Sequence, residues 1–213
     1  MIENILFDFD GTVFDTIEGI TKCVQYALGK MGIEAELCEL KCFAGPPLVD
    51  MFAQKYGMSE DEAKKATQLY RERYEPTGWS ECSPFDGMHE MLLRLKSAGR
   101  TLAIATSKPE HLAVKILSQY GMLDDFDIVC GATLDGSRSK KWDVINYALE
   151  KLGADPGKTL MVGDRMYDVI GAKKCGIDCV GVSFGYAEEG ELSGHGAVYV
   201  ADTPDELYEY IMR

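Results

Sequence analysis

Two aspartates near the N-terminus stand two residues apart within residues 8–12, DFDGT. They directly follow the apolar run ILF, which predicts a buried strand that enters a tight turn at Gly11. Side chains two apart on a strand point to the same side, and open α/β sheets bind ligands where their strands end. Two like charges this close favour a bound cation or a shared proton. Asp8 and Asp10 therefore predict a Mg²⁺ site, acid–base chemistry, or both.

The same DxDG pattern also occurs in calcium-binding loops and in ordinary turns at the end of a strand. A calcium loop of the EF-hand type needs a glutamate at its twelfth position and a helix on each side. Counted from Asp8, that position is Gly19, and the residues before Asp8 are strand-like. The pattern therefore favours a site at a strand end over a calcium loop.

A second candidate segment follows the apolar run TLAIAT, residues 101–106, and reads Thr106-Ser107-Lys108-Pro109. A hydroxyl at a strand end, followed by the free N–H groups of a helix that begins near a proline, suits a bound anion. The alternative is a simple helix N-cap by threonine or serine, which is the commoner arrangement when such a segment stands alone.

A third segment, Gly163-Asp164 with Asp168 four residues on, follows the apolar run TLMV. The glycine permits a close turn, and two more carboxylates beside Asp8 and Asp10 give the oxygen ligands that a hard cation prefers. The alternative is an acidic pair that serves the dipole of the helix start. That alternative is weakened because both acidic pairs fall on the same predicted edge of one sheet.

Two lysines, Lys140 and Lys141, open the predicted helix 140–152. Cations at a helix N-terminus are unfavourable against the helix dipole, so a lysine there favours an anionic partner, either a carboxylate or a bound phosphate. Without the other motifs, a solvated surface would explain the pair equally well.

Short apolar runs alternate with amphipathic stretches through residues 82–213, and this alternation predicts an α/β fold with a doubly wound parallel sheet. With the first strand, about six strands are expected. The predicted strands are 3–9, 101–106, 126–130, 159–162, 179–183 and 197–200, and the predicted helices are 86–98, 109–120, 140–152, 166–175 and 203–212.

Residues 16–81 interrupt this alternation because their pattern is helical throughout, at about 16–32, 47–56 and 59–75. We therefore predict a helical insert at 16–81 in a core made of 1–15 and 82–213, with hinges near 15–16 and 82–84. Ser59 and Glu62 match a capping box at a helix start. The insert's aromatic residues suit buried core better than a surface that stacks on a base: Phe43, Phe52 and Tyr56.

The formal charge of −13 and the sequence pI of about 4.7 disfavour binding to nucleic acid or anionic membranes. Neither a secretory signal nor a membrane-spanning run is found. Seven cysteines form no compact framework, which favours a reduced, cytoplasmic protein. The CxxxC pairs at 38/42 and 175/179 allow a zinc site, but no histidine is near, and small buried side chains are the favoured interpretation.

Together these motifs resemble the haloacid dehalogenase-like hydrolase superfamily, in its phosphatase branch. The matching features are DFDGT at 8–12, Thr106 after a strand, a lysine at 140 or 141, and GDRMYD at 163–168. The helical insert is similar to that superfamily's small cap. Four segments resemble more closely the group labelled phosphoglycolate phosphatase-like or 5′-nucleotidase-like: GPPL at 45–48, ATSKP at 105–109, DGSRSKK at 135–141 and GDRMYDVIGAK at 163–173.

The resemblance implies a role for each matching acid. Asp8 matches the nucleophile that attacks phosphorus to give an aspartyl phosphate, and Asp10 matches the general acid and base. Mg²⁺ would be held by the Asp8 carboxylate, the Asp10 backbone carbonyl and Asp164, with Asp168 supporting them from behind.

The resemblance also implies that Thr106 and Lys141 bind phosphoryl oxygens. Lys141 is preferred to Lys140 because the family's lysine directly precedes an x-acid-Val-Ile pattern, here WDVI at 142–145. Five neighbouring residues are expected to contact substrate: Gly11, Thr12, Gly45, Ser107 and Lys108.

The expected function is Mg²⁺-dependent hydrolysis of a small phosphate ester, such as phosphoglycolate or a nucleoside 5′-monophosphate, by a monomer or weak homodimer. Asp10 argues against a dehalogenase, and Gly163 stands where mutase relatives carry glutamate. A phosphotransferase that passes the phosphoryl group to a second substrate stays open. A non-catalytic phosphate-binding regulator is disfavoured, since Asp8, Asp10, Lys141 and Asp164 are all present.

Overall fold

A computed structural model describes all residues, Met1–Arg213. The strands are β1 Asn4–Phe7, β2 Phe14–Asp15, β3 Ser83–Pro84, β4 Thr101–Pro109, β5 Ile128–Ala132, β6 Thr159–Gly163, β7 Asp178–Val182 and β8 Tyr199–Ala201. The α-helices are α1 Ile17–Lys30, α2 Leu48–Tyr56, α3 Glu60–Tyr74, α4 Met88–Ser97, α5 Glu110–Gln119, α6 Lys141–Leu152, α7 Met166–Lys174, α8 Glu191–His195 and α9 Pro204–Ile211.

Six strands form one parallel sheet in the order β5-β4-β1-β6-β7-β8. This order confirms the predicted α/β class, and it places β1 between β4 and β6. The strand interiors are apolar because both faces of such a sheet are covered. On one face, Leu6, Ala103 and Met161 are fully buried in a cluster with Val144 and Ile145 of α6.

Contacts divide the chain into two compact units, one made of Met1–Phe14 and Pro84–Arg213 and the other of Asp15–Ser83. The chain crosses between the units at β2 and β3, which pair as a two-stranded sheet. Unit two contains α1 to α3 and two 3₁₀ helices, Leu37–Phe43 and Gly78–Ser80. None of the helices in the chain has the length and apolar character needed to span a bilayer.

Two sequence predictions in unit two, a capping box and buried aromatic rings, are tested by the structure. The predicted capping box at the start of α3 is confirmed: Ser59 Oγ accepts from the Glu62 N–H, and the Glu62 carboxylate accepts from the Ser59 N–H at 2.9 Å. Phe43 and Phe52 are buried, with ring centroids 4.8 Å apart. Their burial confirms that these two rings belong to a core and leaves neither exposed for stacking on a base.

The structure corrects the predicted end of β4. The strand was expected to end at residue 106 and a helix to begin at 109, yet β4 continues to Pro109. Its register against β5 shifts after Ala105, so that Pro109 pairs with Ala132. The extra strand residues keep the alternation of an extended chain, which buries Thr106 and Lys108 and leaves Ser107 half-buried.

Candidate active site

The predicted acidic motifs meet where three neighbouring strands end. Asp8 directly follows β1, Asp164 directly follows β6, and Thr106 lies in the last part of β4. Since the strands are parallel and adjacent, their carboxyl ends share one edge of the sheet. The sheet therefore brings together side chains that lie 58 to 156 residues apart in sequence.

Asp8 is held firmly at the centre of this edge. Its N–H donates to the Val162 carbonyl at 2.9 Å, and its Oδ1 accepts from the Phe9 N–H at 2.7 Å. The same Oδ1 lies 2.7 Å from Lys141 Nζ, and Asp8 is 4% exposed. Burial raises the pKa of Asp8 above its ordinary value, and neighbouring Asp168 adds to this, while Lys141 opposes it.

Lys141 links two of the acidic groups. Its Nζ lies 2.7 Å from Asp8 Oδ1 and 2.9 Å from Asp168 Oδ1, and it donates to the Ala105 carbonyl at 3.3 Å. Burial lowers the pKa of Lys141, but the two carboxylates outweigh burial and the pKa lies above its ordinary value. Lys140 is exposed, with its Nζ 5.1 Å from the centre of the Trp142 ring. Of the two lysines, Lys141 is therefore the one placed at the acidic site.

Asp8, Asp164 and Asp168 form a buried cluster in which one oxygen of each lies within 4.8 Å of the others. Asp164 is fully buried; its Oδ1 accepts from Thr12 Oγ1 at 3.2 Å. Burial and the two neighbouring carboxylates raise the pKa of Asp164 well above its ordinary value. Three carboxylates this close, with one ammonium group among them, give a strongly negative site.

Asp10 has its own cation. Lys108 Nζ lies 2.8 Å from Asp10 Oδ1, and the Lys108 side chain is only 4% exposed. The same ammonium group stands 5.5 Å from the centre of the Phe9 ring. Lys108, expected to contact substrate, is therefore placed on the second aspartate of the DxD motif.

The remaining predicted residues have distinct positions. The Thr12 hydroxyl donates a hydrogen bond to Asp164. Thr106, 1% exposed, accepts from the Lys108 N–H at 3.2 Å, and its hydroxyl acts to lower the pKa of Asp8. Gly11 has φ +82°. Gly45, with φ +103°, belongs to unit two, between the 3₁₀ helix Leu37–Phe43 and α2.

Two glycines allow the acids to approach the backbone. A Cβ on Gly11 would lie 2.1 Å from Asp164 Oδ2, and a Cβ on Gly163 would lie 2.2 Å from Asp168 Cγ. Real Cβ atoms do not make such short contacts, so both positions require glycine. The glycines of DFDGT and GDRMYD are thus part of the acidic cluster's packing.

The loop after β7 contributes residues that the sequence motifs do not indicate. The Tyr186 N–H donates to Asp164 Oδ2 at 2.8 Å. A Cβ on Gly185 would lie 2.3 Å from the Gly11 carbonyl oxygen, so this loop packs directly on the turn after Asp8. Only the position of this loop could have indicated its role, because it follows a predicted strand that ends at the same edge of the sheet.

The cysteines do not join this site. All seven are free thiols, and the acidic triad is the only group of three or more potential metal ligands. Cys130 and Cys179 are buried, and burial raises the pKa of both thiols, to about 11 for Cys130. Of the two CxxxC pairs, only Cys179 is buried, whereas Cys42 and Cys175 are half-buried and Cys38 is exposed. The prediction of small buried side chains is therefore wrong for Cys38.

Comparisons with known proteins identify the family of this chain. A family model described as haloacid dehalogenase-like hydrolase matches residues 5–182. A 5′-nucleotidase of Pseudomonas aeruginosa is 44% identical over 93% of this chain and 91% of its own length. The tyrosine-protein kinase PtkA of Mycobacterium tuberculosis is 38% identical over 96% of this chain and 71% of its own length.

A crystal structure of a "predicted phosphatase" from Clostridium acetobutylicum superposes with a TM-score of 0.97 at 40% identity, covering 100% of this chain and 99% of that one. The fold, the acidic edge and the family match lead to one conclusion. The chain belongs to the haloacid dehalogenase-like hydrolase family, where its relatives and structural neighbours include phosphatases.

Proposed function

We propose that this chain is a Mg²⁺-dependent phosphomonoester hydrolase that works through a phosphorylated Asp8. The observation that carries the proposal is the position of Asp8: its carboxylate lies 2.7 Å from Lys141 Nζ and belongs to a buried cluster with Asp164 and Asp168, whose oxygens lie within 4.8 Å of one another. A nucleophile that attacks a phosphate dianion needs positive charge around the phosphoryl oxygens. This arrangement offers one ammonium group directly and the ligands for a metal ion.

The site's charge fits a divalent cation. Asp8, Asp10, Asp164 and Asp168 are matched by two ammonium groups, on Lys108 and Lys141, which leaves two negative charges. All six groups are buried or nearly so, where unbalanced charge is costly. The carboxylates of Asp8 and Asp164 and the Asp10 backbone carbonyl would hold Mg²⁺, with Asp168 behind them. When bound, the ion supplies positive charge to the phosphoryl oxygens.

Each step of the proposed reaction uses a residue already placed. An Asp8 oxygen forms a bond to phosphorus while the ester bond to the leaving oxygen breaks, and Asp10, which must be protonated for this step, gives its proton to that oxygen. Asp10 then takes a proton from water, whose oxygen attacks phosphorus and releases Asp8 and inorganic phosphate. Thr106 and Lys141 stabilise the phosphoryl oxygens throughout.

For the substrate we propose small phosphate esters, with nucleoside 5′-monophosphates as the first class to test. The support is the relative named 5′-nucleotidase, whose identity of 44% extends over 93% of this chain. Phosphoglycolate is the second class, since a phosphoglycolate phosphatase of Vibrio parahaemolyticus is 27% identical over 99% of the chain. We further propose a cytoplasmic monomer or weak homodimer, consistent with seven free thiols.

The test is release of inorganic phosphate from a panel of nucleoside monophosphates, phosphoglycolate and sugar phosphates with Mg²⁺ present. We expect turnover of at least one class. If the phosphoryl group is transferred only to an added acceptor, such as a tyrosine peptide, and no inorganic phosphate is released, the hydrolase proposal is wrong. The protein would then be a phosphotransferase.

Activity should require Mg²⁺, and Ca²⁺ should inhibit it. Both ions bind carboxylates, but Ca²⁺ accepts more ligands and looser geometry, so it favours two-oxygen chelation by Asp8 and leaves the nucleophile occupied. The measurement is initial rate against each ion after chelator treatment, with Mg²⁺ added back as the control. Full activity after exhaustive chelation would contradict the metal requirement.

Changes at Gly45 should alter substrate choice more than chemistry, because Gly45 belongs to the helical unit and all the acidic motifs belong to the other. We expect Gly45→Val to lower kcat/KM for the natural ester strongly, and for p-nitrophenyl phosphate less, since a small activated ester needs fewer leaving-group contacts. The measurement is kcat/KM on several esters.

A matched control for Gly45→Val is Gly45→Ala. With φ +103°, any side chain strains this position, so alanine carries the strain with little bulk. The difference between valine and alanine isolates the effect of side-chain size. Equal proportional losses on every ester would mean that the loop does not recognise the leaving group.

A further inference from the structure

Glu191 is a half-buried residue outside the proposed catalytic set, and its carboxylate has three separate partners. Its Oε1 lies 2.9 Å from Arg165 Nε and accepts from the Met166 N–H at 2.8 Å. Its Oε2 accepts from the Glu188 N–H at 3.2 Å. The Glu191 side chain is 10% exposed, and these partners lower its pKa even though burial raises it. Glu191 is therefore ionised, and both of its carboxylate oxygens accept hydrogen bonds.

One group of partners lies directly beside the acidic cluster. Arg165 and Met166 are the two residues that follow Asp164, and Met166 begins α7. The Arg165 N–H donates to Asp168 Oδ2 at 3.1 Å, so this short segment directly follows Asp164 in the chain and contacts Asp168. Glu191 accepts from both Arg165 Nε and the Met166 N–H, and these two bonds hold the backbone that directly follows Asp164.

The other partner lies on the loop between β7 and α8. Glu188 belongs to the same loop as Tyr186, whose N–H donates to the second oxygen of Asp164. Gly185 packs against the turn at Gly11. Glu191, at the start of α8, therefore ties the end of this loop to the start of α7, with Asp164 held between them.

We propose that Glu191 is a positioning residue for the proposed metal ligand Asp164: its hydrogen bonds hold in place the two backbone segments around Asp164, the start of α7 and the loop after β7. The inference rests on the proposed metal site. It does not give Glu191 contact with substrate or with the reacting atoms. Residues that orient metal ligands in this way change metal affinity by about 10- to 100-fold when they are removed.

The test compares Glu191→Ala, Glu191→Gln and the control Glu189→Gln. Glu189 is exposed on the same loop, so its substitution removes the same charge without removing a bond. The Mg²⁺ dissociation constant is measured from the rise of the unfolding temperature with Mg²⁺ concentration. We expect the constant to rise about 10-fold for Glu191→Ala, a few-fold for Glu191→Gln, and less than 2-fold for Glu189→Gln.

Three results would separate this inference from the proposed function. If the wild-type protein shows no Mg²⁺-dependent rise, the metal site itself is wrong. If wild type and both Glu191 variants bind Mg²⁺ equally while the variants unfold at lower temperature, Glu191 is only structural and the inference is wrong. If Glu189→Gln weakens binding as much as Glu191→Gln, net charge explains the effect. Should Glu191→Ala fail to fold, the isosteric Glu191→Gln decides.

Discussion

Asp8→Asn is expected to lower kcat by at least roughly 1,000-fold while the protein stays folded. An amide has no free oxygen anion with which to form an acyl phosphate, so the proposed first step is lost. The surroundings tolerate the change, because the amide oxygen still accepts the Phe9 N–H and Lys141 keeps Asp168 as a partner. The measurement is phosphate release under saturating substrate and Mg²⁺.

The matched control for this variant is Asp178→Asn. Asp178 is exposed at the start of β7, at the opposite end of the sheet from the acidic edge, and it undergoes the same chemical change. Its kcat should stay within 2-fold of wild type. An Asp8→Asn enzyme that keeps a tenth of wild-type activity would rule out Asp8 as the nucleophile.

Much of the site was predictable because it depends on where strands end. An apolar run followed by a polar, glycine-containing turn is a local signal, and parallel strands place all such turns on one edge. Asp8 and Asp164 follow strands that are direct neighbours in the sheet, so their meeting follows from the topology. Lys141 meets them because α6 begins at that same edge.

The partners of Lys108 and Thr12 were not predictable from the sequence. Both stand beside motif residues, and both were expected at the substrate. The extra strand residues of β4, fixed by pairing of Pro109 with Ala132, bury the Lys108 side chain and place its ammonium on Asp10. Thr12 donates to Asp164 because the turn at Gly11 packs closely against that carboxylate and carries the next residue to it.

The loop after β7 shows a further limit of sequence reasoning. Tyr186 acts on Asp164 through its backbone N–H, and any non-proline residue type offers that group. Glu191 reaches Arg165 across 26 residues of sequence, and an acid near a helix start is an ordinary helix signal. Only packing distinguishes these residues from others of the same type.

Asp164→Asn is expected to have opposite effects on stability and on function. Burial raises the pKa of Asp164, and the carboxylates of Asp168 and Asp8 raise it further. An acid whose folded-state pKa is raised destabilises the folded protein at pH above its ordinary value, and the penalty is relieved as pH falls. Without metal at neutral pH, we expect the amide to stabilise the fold by about 1 kcal/mol, or about 2–4 °C in Tm.

The same variant is expected to lose the Mg²⁺-dependent rise in Tm and to lower kcat/KM by at least roughly 100-fold, since a proposed metal ligand is gone. The amide still fits its surroundings: its oxygen accepts from the Tyr186 N–H, and its NH₂ donates to the Thr12 hydroxyl. Tm is measured at neutral pH and near pH 4, with and without Mg²⁺, beside Asp178→Asn. Without metal, the gain in Tm of Asp164→Asn over wild type should shrink at the lower pH, because protonation there removes the charge of Asp164 in the wild type.

A metal-free Tm of Asp164→Asn below that of wild type at neutral pH would show that the Asp164 charge is already compensated within the protein. The argument for a metal ion from unbalanced buried charge would then have to be abandoned.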